Sequence, residues 1–257
     1  MEFDALMIGF GKGAKTLAGY LGKQGKKVAV IEKSDKMYGG TCINVGCIPS
    51  KSLYMSARES ALSSDTSFAG KQLRYAAAID EKIRVTAMLR KKNYEKLVSN
   101  QNISVIHGAA SFTGSHELSV VTAEKTLSLS APQIFINTGS VPVVPKIDGI
   151  ANNSHVFFSE TLMDLHNLPQ SLAIIGGGYI GLEFASMYAN FGSKVTVFQD
   201  SQVFLPREDN DIASAIKELL EKQGISFVTG ADIQKVGSDG TVFYAADGKE
   251  QSFASDA

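Results

Sequence analysis

The sequence predicts an α/β protein with two dinucleotide-binding domains of parallel sheet and helix, supplemented by small antiparallel sheets. An apolar strand, a glycine-rich turn, a helix and a second apolar strand follow one another near the N-terminus. The same order begins again about 167 residues later. A series of short strands separated by turn residues follows each copy, which is typical of small antiparallel sheets.

The first copy has strands at residues 4–9 and 28–31, with a helix between them that ends near Gly25. Its turn matches the pattern G-x-G-x-x-G/A at Gly9, Gly11 and Ala14. The first glycine allows the tight turn, the second admits a pyrophosphate to the helix N-terminus, and the small third residue packs helix on strand. Glu32 then stands where an acid binds a ribose hydroxyl, which favours a dinucleotide site over an ordinary strand-to-helix turn.

The middle of the chain predicts a helix after Lys51, a polar loop around residues 63–70 and a long helix over residues 79–98. Four short strands, which we expect to form a small antiparallel sheet, follow at residues 104–107, 110–113, 118–121 and 126–129. A buried strand at residues 134–137 then leads into Thr138 and Gly139. Prolines and Gly149 mark a linker, so we predict domains at residues 1–149 and 150–257.

The second copy has strands at residues 171–175 and 194–198, and it is followed by a helix over residues 209–223 and short strands up to residue 253. Its turn carries a complete G-x-G-x-x-G at Gly176, Gly178 and Gly181. Gln199 stands where the first copy has its acid. Because Gln199 is neutral, it does not repel a 2′-phosphate, and no arginine immediately beside it would bind one. The choice between NADH and NADPH therefore stays open.

Between the two copies lies the segment GGTCINVGCIPSK at residues 39–51, which holds both cysteines of the chain, Cys42 and Cys47. Four residues separate them, so a helical start would bring the sulfurs within disulfide reach. The glycines before them permit close approach to another molecule, and Pro49 suits the first turn of a helix. The spacing makes a redox pair possible.

Composition excludes several classes of function. The net charge of −1 without a basic stripe gives no case for nucleic-acid binding. No apolar run approaches the ~20 residues of a membrane span, and acids near the N-terminus oppose a secretory signal, so we expect a cytoplasmic protein. In a reducing compartment the cysteine pair favours catalysis, redox sensing or metal binding over a structural staple. No histidine stands beside the pair, so we predict no metal site.

The two fingerprints flanking GGTCINVGCIPSK resemble the class I flavoprotein disulfide reductases, the group of dihydrolipoamide dehydrogenase, glutathione reductase and mercuric reductase. The longer matches MYGGTCINVGCIPSK, GFGK and GGGYIGLEFASMYANFGSKVT are most similar to the reactive-chlorine-resistance branch. The resemblance implies that the first domain binds FAD, the second binds NAD(P)H, and electrons pass through flavin to the Cys42–Cys47 disulfide. It further implies reduction of a small-molecule disulfide, a hypothiocyanous-acid-type oxidant or a metal ion, with dihydrolipoamide as the alternative substrate.

The resemblance also implies roles for individual residues. Cys47 matches the flavin-facing thiol and Cys42 the thiol that attacks substrate. Lys51 matches a lysine beside flavin N5 and Glu183 its partner, although by themselves both read as surface residues. The FAD-contacting positions, including the first fingerprint, are Gly9, Gly11, Ala14, Glu32, Lys33, Gly40, Thr41, Lys51, Gly108, Ala109, Thr138 and Gly139. Those for NAD(P)H are Gly176, Gly178, Tyr179, Ile180, Gly181 and Gln199, and Tyr179 is either a gate over the nicotinamide pocket or a packing residue.

The sequence departs from the family in extent, because members run to about twice the part seen here. We expect that the distal Gly-Asp motif, the central domain and the C-terminal dimerisation domain with its catalytic His-Glu pair lie outside this sequence. His155 and Glu160 have the offset of that pair without its neighbouring proline, so we expect no catalytic role for them. We therefore expect a homodimer for a full-length parent, a truncated last strand, and little reductase activity from these 257 residues. The alternative function is that of an inactive dinucleotide-binding fragment.

Overall fold

The structure, a computed structural model, describes residues 1–257 and confirms the predicted α/β class with parallel and small antiparallel sheets. The strands are β1 (Ala5–Ile8), β2 (Val28–Glu32), β3 (Ile103–His107), β4 (Ala109–Gly114), β5 (Glu117–Val121), β6 (Thr126–Ser130), β7 (Gln133–Ile136), β8 (Ser171–Ile175), β9 (Lys194–Gln199), β10 (Ser226–Thr229), β11 (Asp232–Val236), β12 (Val242–Ala246) and β13 (Lys249–Phe253). The helices are α1 (Lys12–Lys23), α2 (Thr41–Asn44), α3 (Cys47–Ala61), α4 (Phe68–Val98), α5 (Ser159–Leu162), α6 (Tyr179–Phe191) and α7 (Asn210–Lys222).

The chain divides into two compact units. Unit 1 consists of Met1–Ser50 and Lys82–Val141, and unit 2 consists of Lys51–Glu81 and Pro142–Ala257. The divisions at Ser50 and Glu81 fall inside α3 and α4, so neither unit is one continuous stretch of chain. The assignment of an FAD domain to residues 1–149 and an NAD(P)H domain to residues 150–257 stays a prediction.

Unit 1 is built on a parallel four-stranded sheet in the order β3-β2-β1-β7. Strand β2 has the sequence VAVIE and is buried along its whole length, as expected for a central strand of a parallel sheet. Helix α1 covers one face, burying Ala14 and Ala18 against Met7 and Val30. On the opposite side, Leu6, Ile31 and apolar residues of β5 and β6 form a second cluster beneath the antiparallel sheet β4-β5-β6.

Unit 2 repeats this plan with a parallel sheet in the order β10-β9-β8 and an antiparallel sheet β11-β12-β13. Helix α6 follows β8 as α1 follows β1, and it ends at Gly192, whose φ of 107° is left-handed. The Gly192 N–H closes the last turn by donating to Ala189 and Tyr188 carbonyls, a common glycine C-cap.

The main core of unit 2 joins α6 to the helical residues 51–81. Leu53, Ile79 and Phe191 are fully buried there. The Tyr75 and Tyr188 hydroxyls lie 3.0 Å apart, and they donate to backbone carbonyls at 2.7 Å and 2.9 Å respectively. Burial raises the pKa of Tyr75 to about 12 and that of Tyr188 well above its usual value, so both hydroxyls stay protonated and tie α4 and α6 to the backbone carbonyls of Leu165 and Leu162.

Two details of the predicted secondary structure are wrong. Helix α4 begins at Phe68, well before residue 79, because the Ser67 hydroxyl accepts the Gly70 N–H at 3.1 Å and caps the first turn. Residues 104–107 belong to β3 of the parallel sheet rather than to the antiparallel sheet. No helix of the chain combines the length and apolar character needed to cross a bilayer.

Candidate functional site

In unit 1 the predicted cofactor positions lie at the carboxyl ends of the four parallel strands. Gly9 follows β1, Glu32 ends β2, Gly108 follows β3, and Thr138 follows Asn137 after β7. The parallel registers place Ile8 opposite both Ile31 and Ile136, so these ends meet at one edge of the sheet. Ligands of open α/β sheets bind at this edge.

The turn from β1 into α1 fits a pyrophosphate. Gly9 has a φ of 101°, and its N–H donates to the Ile31 carbonyl at 2.7 Å. Gly11 is the N-cap of helix α1, which has no side-chain cap and no acid in its first turn, so its first N–H groups are available to an anion. Sequence reasoning missed Asn137, whose backbone and side chain lie so close to Gly9 and Gly11 that a Cβ on either glycine would overlap them.

Glu32 is buried and fixes the turn as well as the strand end. One carboxylate oxygen accepts the Phe10 N–H at 2.9 Å, and the other accepts the Ser34 N–H at 3.1 Å. Each oxygen retains a lone pair, so the predicted bond to a ribose hydroxyl fits this arrangement and stays a prediction. Lys33 beside it is exposed, and its carbonyl lies 3.1 Å from the His107 ring nitrogen.

The cysteine segment packs directly on the same turn. Gly40 has a φ of 77°, and a Cβ there would lie 2.6 Å from the Gly11 Cα. Asn44, at the end of α2, donates to the Gly40 carbonyl at 2.9 Å and accepts from Arg90 at 2.8 Å. Backbone contact and this side-chain network therefore hold Thr41 and the residues after it beside the N-terminus of α1.

Cys42 and Cys47 are both free, exposed and within hydrogen-bonding contact of each other. That hydrogen bond raises the pKa of the Cys42 thiol, with smaller contributions in the same direction from burial and from the charge of Cys47. Lys15 and Lys12 on α1 act in the opposite direction. The two thiols therefore influence one another, and their closure into a disulfide stays a prediction. The two lysines are electrostatic neighbours that sequence reasoning missed.

Lys15 is held in place in unit 1. Its ammonium donates to the Asn93 side-chain oxygen, and Asn93 donates in turn to the Leu89 carbonyl at 2.7 Å. Burial and the charge of Lys12 lower the pKa of Lys15, and the charge of Lys96 adds to the effect. A fixed positive charge of this kind favours a thiolate on a nearby cysteine.

In unit 2 the second fingerprint lies at the carboxyl end of β8. Gly176 has a φ of 110°, and a Cβ on either Gly176 or Gly178 would point into open space. Helix α6 begins after Gly178 with no side-chain cap and no acid in its first turn, so this turn also fits a pyrophosphate. Tyr179 and Ile180 at its start are exposed, by 79% and 47%, which places Tyr179 on the surface of unit 2 rather than in its core.

Gln199 occupies the position in unit 2 that Glu32 occupies in unit 1. Its side-chain oxygen accepts the Gly177 N–H at 2.8 Å. Its amide nitrogen donates to an Asp200 carboxylate oxygen at 2.7 Å, and the same oxygen accepts the Ser201 N–H at 2.7 Å. Asp200 is another residue that sequence reasoning missed.

Lys51 and Glu183 form an ion pair within unit 2, with 2.6 Å between ammonium and carboxylate oxygen. Their side chains are 59% and 49% exposed, and the Lys51 ammonium lies 6.0 Å from the centre of the Tyr54 ring. The pairing that the resemblance implied is therefore present, although no residue near either one in the sequence indicates it.

The other candidates each have their own local contacts. The His155 ring bonds to the Asp256 carbonyl at 3.0 Å, while Glu160 lies in the first turn of α5. Gly108 donates to the Glu32 carbonyl at 3.0 Å, and Ala109 opens β4. The structure brings together no group of three or more histidine, cysteine or acidic side chains that could hold a metal ion.

Two glycine turns with uncapped helix starts and a close cysteine pair define a protein of the nucleotide-dependent disulfide oxidoreductase type. The chain belongs to the pyridine nucleotide-disulphide oxidoreductase family, whose model matches residues 3–257.

Among individual proteins, the chain is 46% identical over 235 residues to the probable pyridine nucleotide-disulfide oxidoreductase RclA of Escherichia coli (strain K12), covering 91% of this chain and 51% of RclA. It is 32% identical to a mercuric reductase of Staphylococcus aureus, covering 99% of this chain and 47% of that protein. A dihydrolipoyl dehydrogenase of Acholeplasma laidlawii is 33% identical, with 99% and 76% covered. The solved copper(II) complex of the HOCl-induced flavoprotein disulfide reductase RclA from Escherichia coli matches with a TM-score of 0.89 and 43% identity, covering 100% of this chain and 55% of RclA.

Proposed function

We propose that the chain forms part of an FAD-dependent NAD(P)H oxidoreductase in which Cys42 and Cys47 are the redox pair. The observation that carries this proposal is the contact between two exposed thiols in a turn that packs against the glycine fingerprint of unit 1. The chain spans about half the length of RclA and the mercuric reductase it matches, so the activity of a whole enzyme is part of the proposal.

The residues of unit 1 fit FAD through the uncapped start of α1, the Glu32 carboxylate and the exposed Thr138 and Gly139. FAD would supply the carrier that accepts hydride from NAD(P)H and passes two electrons to a disulfide. Unit 2 would hold NAD(P)H through Gly176, Gly178 and the start of α6.

The thiols themselves carry the substrate step. The Cys42 thiolate attacks one sulfur of a disulfide substrate and releases the other as a thiol, which leaves a mixed disulfide on Cys42. Cys47 then attacks the Cys42 sulfur, releases the second substrate thiol and closes the Cys42–Cys47 disulfide. Two protein thiols are oxidised while one substrate disulfide is reduced, and Lys15 favours the attacking thiolate.

The relatives support three substrate classes. Mercuric reductase and the copper(II) complex of RclA support a metal ion. The induction of RclA by HOCl favours an oxidant, and we include the hypothiocyanous-acid type that the sequence resemblance implied. The dihydrolipoyl dehydrogenases support dihydrolipoamide as the second candidate. A cytoplasmic homodimer of the longer protein is included in the proposal.

The test is the Cys42→Ser variant of a full-length parent protein loaded with FAD, because we expect little turnover from these 257 residues alone. We expect NAD(P)H-dependent disulfide reduction to disappear while the flavin absorbance is retained, because serine removes the nucleophile without altering the fingerprint. Ser64→Ala, on an exposed residue of unit 2, is the control and should leave both properties unchanged. Retained turnover in Cys42→Ser would remove the cysteine pair from the mechanism.

A further inference from the structure

We propose that the nucleotide site of unit 2 selects NADH over NADPH through the Asp200 carboxylate, which Gln199 holds at the carboxyl end of β9. The inference rests on the proposed function, because it requires that unit 2 bind a nicotinamide dinucleotide. The choice between NADH and NADPH was left open by the sequence, because residue 199 is glutamine instead of an acid.

The two halves of the chain use different side chains to accept the same backbone N–H of the glycine turn. In each fingerprint the middle residue of G-x-G has an N–H that points at the end of the second strand. In unit 1 the Phe10 N–H is accepted by the Glu32 carboxylate at 2.9 Å. In unit 2 the Gly177 N–H is accepted by the neutral Gln199 amide oxygen at 2.8 Å, so this bond is kept without a charge.

The negative charge in unit 2 is instead one residue further along the chain. An amide has a donor that a carboxylate lacks, and the Gln199 nitrogen donates to Asp200 at 2.7 Å. The Ser201 N–H donates to the same Asp200 oxygen at 2.7 Å. These two bonds fix an exposed carboxylate at the end of β9 and leave its other oxygen with no hydrogen bond to the protein.

An exposed, oriented carboxylate distinguishes the two coenzymes by charge. The hydroxyls of an adenosine ribose can donate to it, whereas a 2′-phosphate carries negative charge and is repelled. The segment that follows, residues 200–209, contains three acids, Asp200, Glu208 and Asp209, and one base, Arg207. Arg207 is the basic side chain of this segment that could accept a 2′-phosphate, so it is the competing determinant.

The experiment measures dissociation constants of NADH and NADPH by the fluorescence of the reduced nicotinamide, which needs no turnover and meets no tryptophan background in this chain. We expect NADH to bind more tightly, by on the order of tenfold, with the ratio rising as ionic strength falls. Asp200→Asn keeps an oxygen that can accept both hydrogen bonds and removes only the charge. Asp200→Asn should lower the dissociation constant of NADPH by on the order of tenfold and change that of NADH little. Arg207→Gln is the control and should leave the ratio unchanged.

Each other outcome overturns the inference. Equal or tighter binding of NADPH by the unaltered chain refutes it while leaving the proposed function intact. A ratio that Asp200→Asn does not change, or that Arg207→Gln raises by weakening NADPH, assigns selection to another residue. Binding of neither coenzyme would overturn the proposed function together with the inference. The affinities of the unaltered chain and their salt dependence test the preference for NADH even if a variant fails to fold.

Discussion

Neutralising Lys51 should destabilise unit 2 only slightly, even though its ammonium lies 2.6 Å from a Glu183 carboxylate oxygen. The change to test is a double-mutant cycle of Lys51→Met, Glu183→Gln and the combination. Methionine keeps most of the aliphatic stem, and glutamine keeps an acceptor oxygen, so the cycle isolates the interaction between the charges.

The magnitude follows from exposure. The two side chains are 59% and 49% exposed, so water and salt screen the attraction, and holding two long side chains in one geometry costs entropy. The coupling free energy should therefore be about 0.3–1 kcal/mol at low salt and smaller in concentrated salt. A desolvated pair would instead lose about 3–5 kcal/mol when one partner is removed.

Calorimetric unfolding of the unaltered protein, the two single variants and the double variant measures the coupling free energy. It is calculated from the unfolding transition that the substitutions shift. The pair Lys217 and Glu221 on α7 is the matched control, because its side chains are 37% and 50% exposed and its charges are 3.9 Å apart. A small coupling would mean that stability does not account for the Lys51 pair, which leaves orientation of the ammonium as its role. A coupling above about 2 kcal/mol would refute the reasoning from exposure, and none at low salt would show that the charges do not meet in solution.

Two further predictions concern the thiol pair and the core of unit 2. Cys47→Ala removes the hydrogen bond that raises the pKa of Cys42, so alkylation of Cys42 by iodoacetamide should begin at lower pH. Peptide mass spectrometry measures the labelling of Cys42 as a function of pH. Unchanged or slower labelling near pH 7 would contradict the prediction. Tyr188→Phe removes the hydrogen bond that the hydroxyl donates to the Leu162 carbonyl in a buried site, and should cost about 1–3 kcal/mol in thermal unfolding. Tyr20→Phe, at a 61% exposed residue, is the control, and an equal loss there would count against the buried network.

The local elements of the fold follow from the sequence. The repeated order of β1, α1 and β2 is encoded within 30 residues by apolar runs and a glycine turn, and the same holds for β8, α6 and β9. The placement of β3 was missed because its pairing with β2 depends on a crossover through α4. The early start of α4 was missed because one serine cap determines it.

Some features of the candidate site can be predicted from local sequence, and others depend on contacts that the sequence does not show. Proximity of Cys42 and Cys47 follows from their spacing, since both lie in one turn-rich segment. The pairing of Lys51 with Glu183 joins residues 132 positions apart, and only the family resemblance indicated it. The contribution of Asp200 depends on a bond from its neighbour's side chain, which no pattern of residue types reports.

The contact between Gly40 and Gly11 limits how this protein can change. Main-chain atoms of the cysteine turn and of the fingerprint meet there, and any side chain at Gly40 would need a left-handed φ as well as space that Gly11 occupies. The distance between the cysteine segment and the glycine turn at residues 9–11 is therefore set by main-chain atoms of both segments. Substitution of the nearby lysines could adjust thiol reactivity, whereas a side chain at Gly40 would have to displace main-chain atoms of the fingerprint.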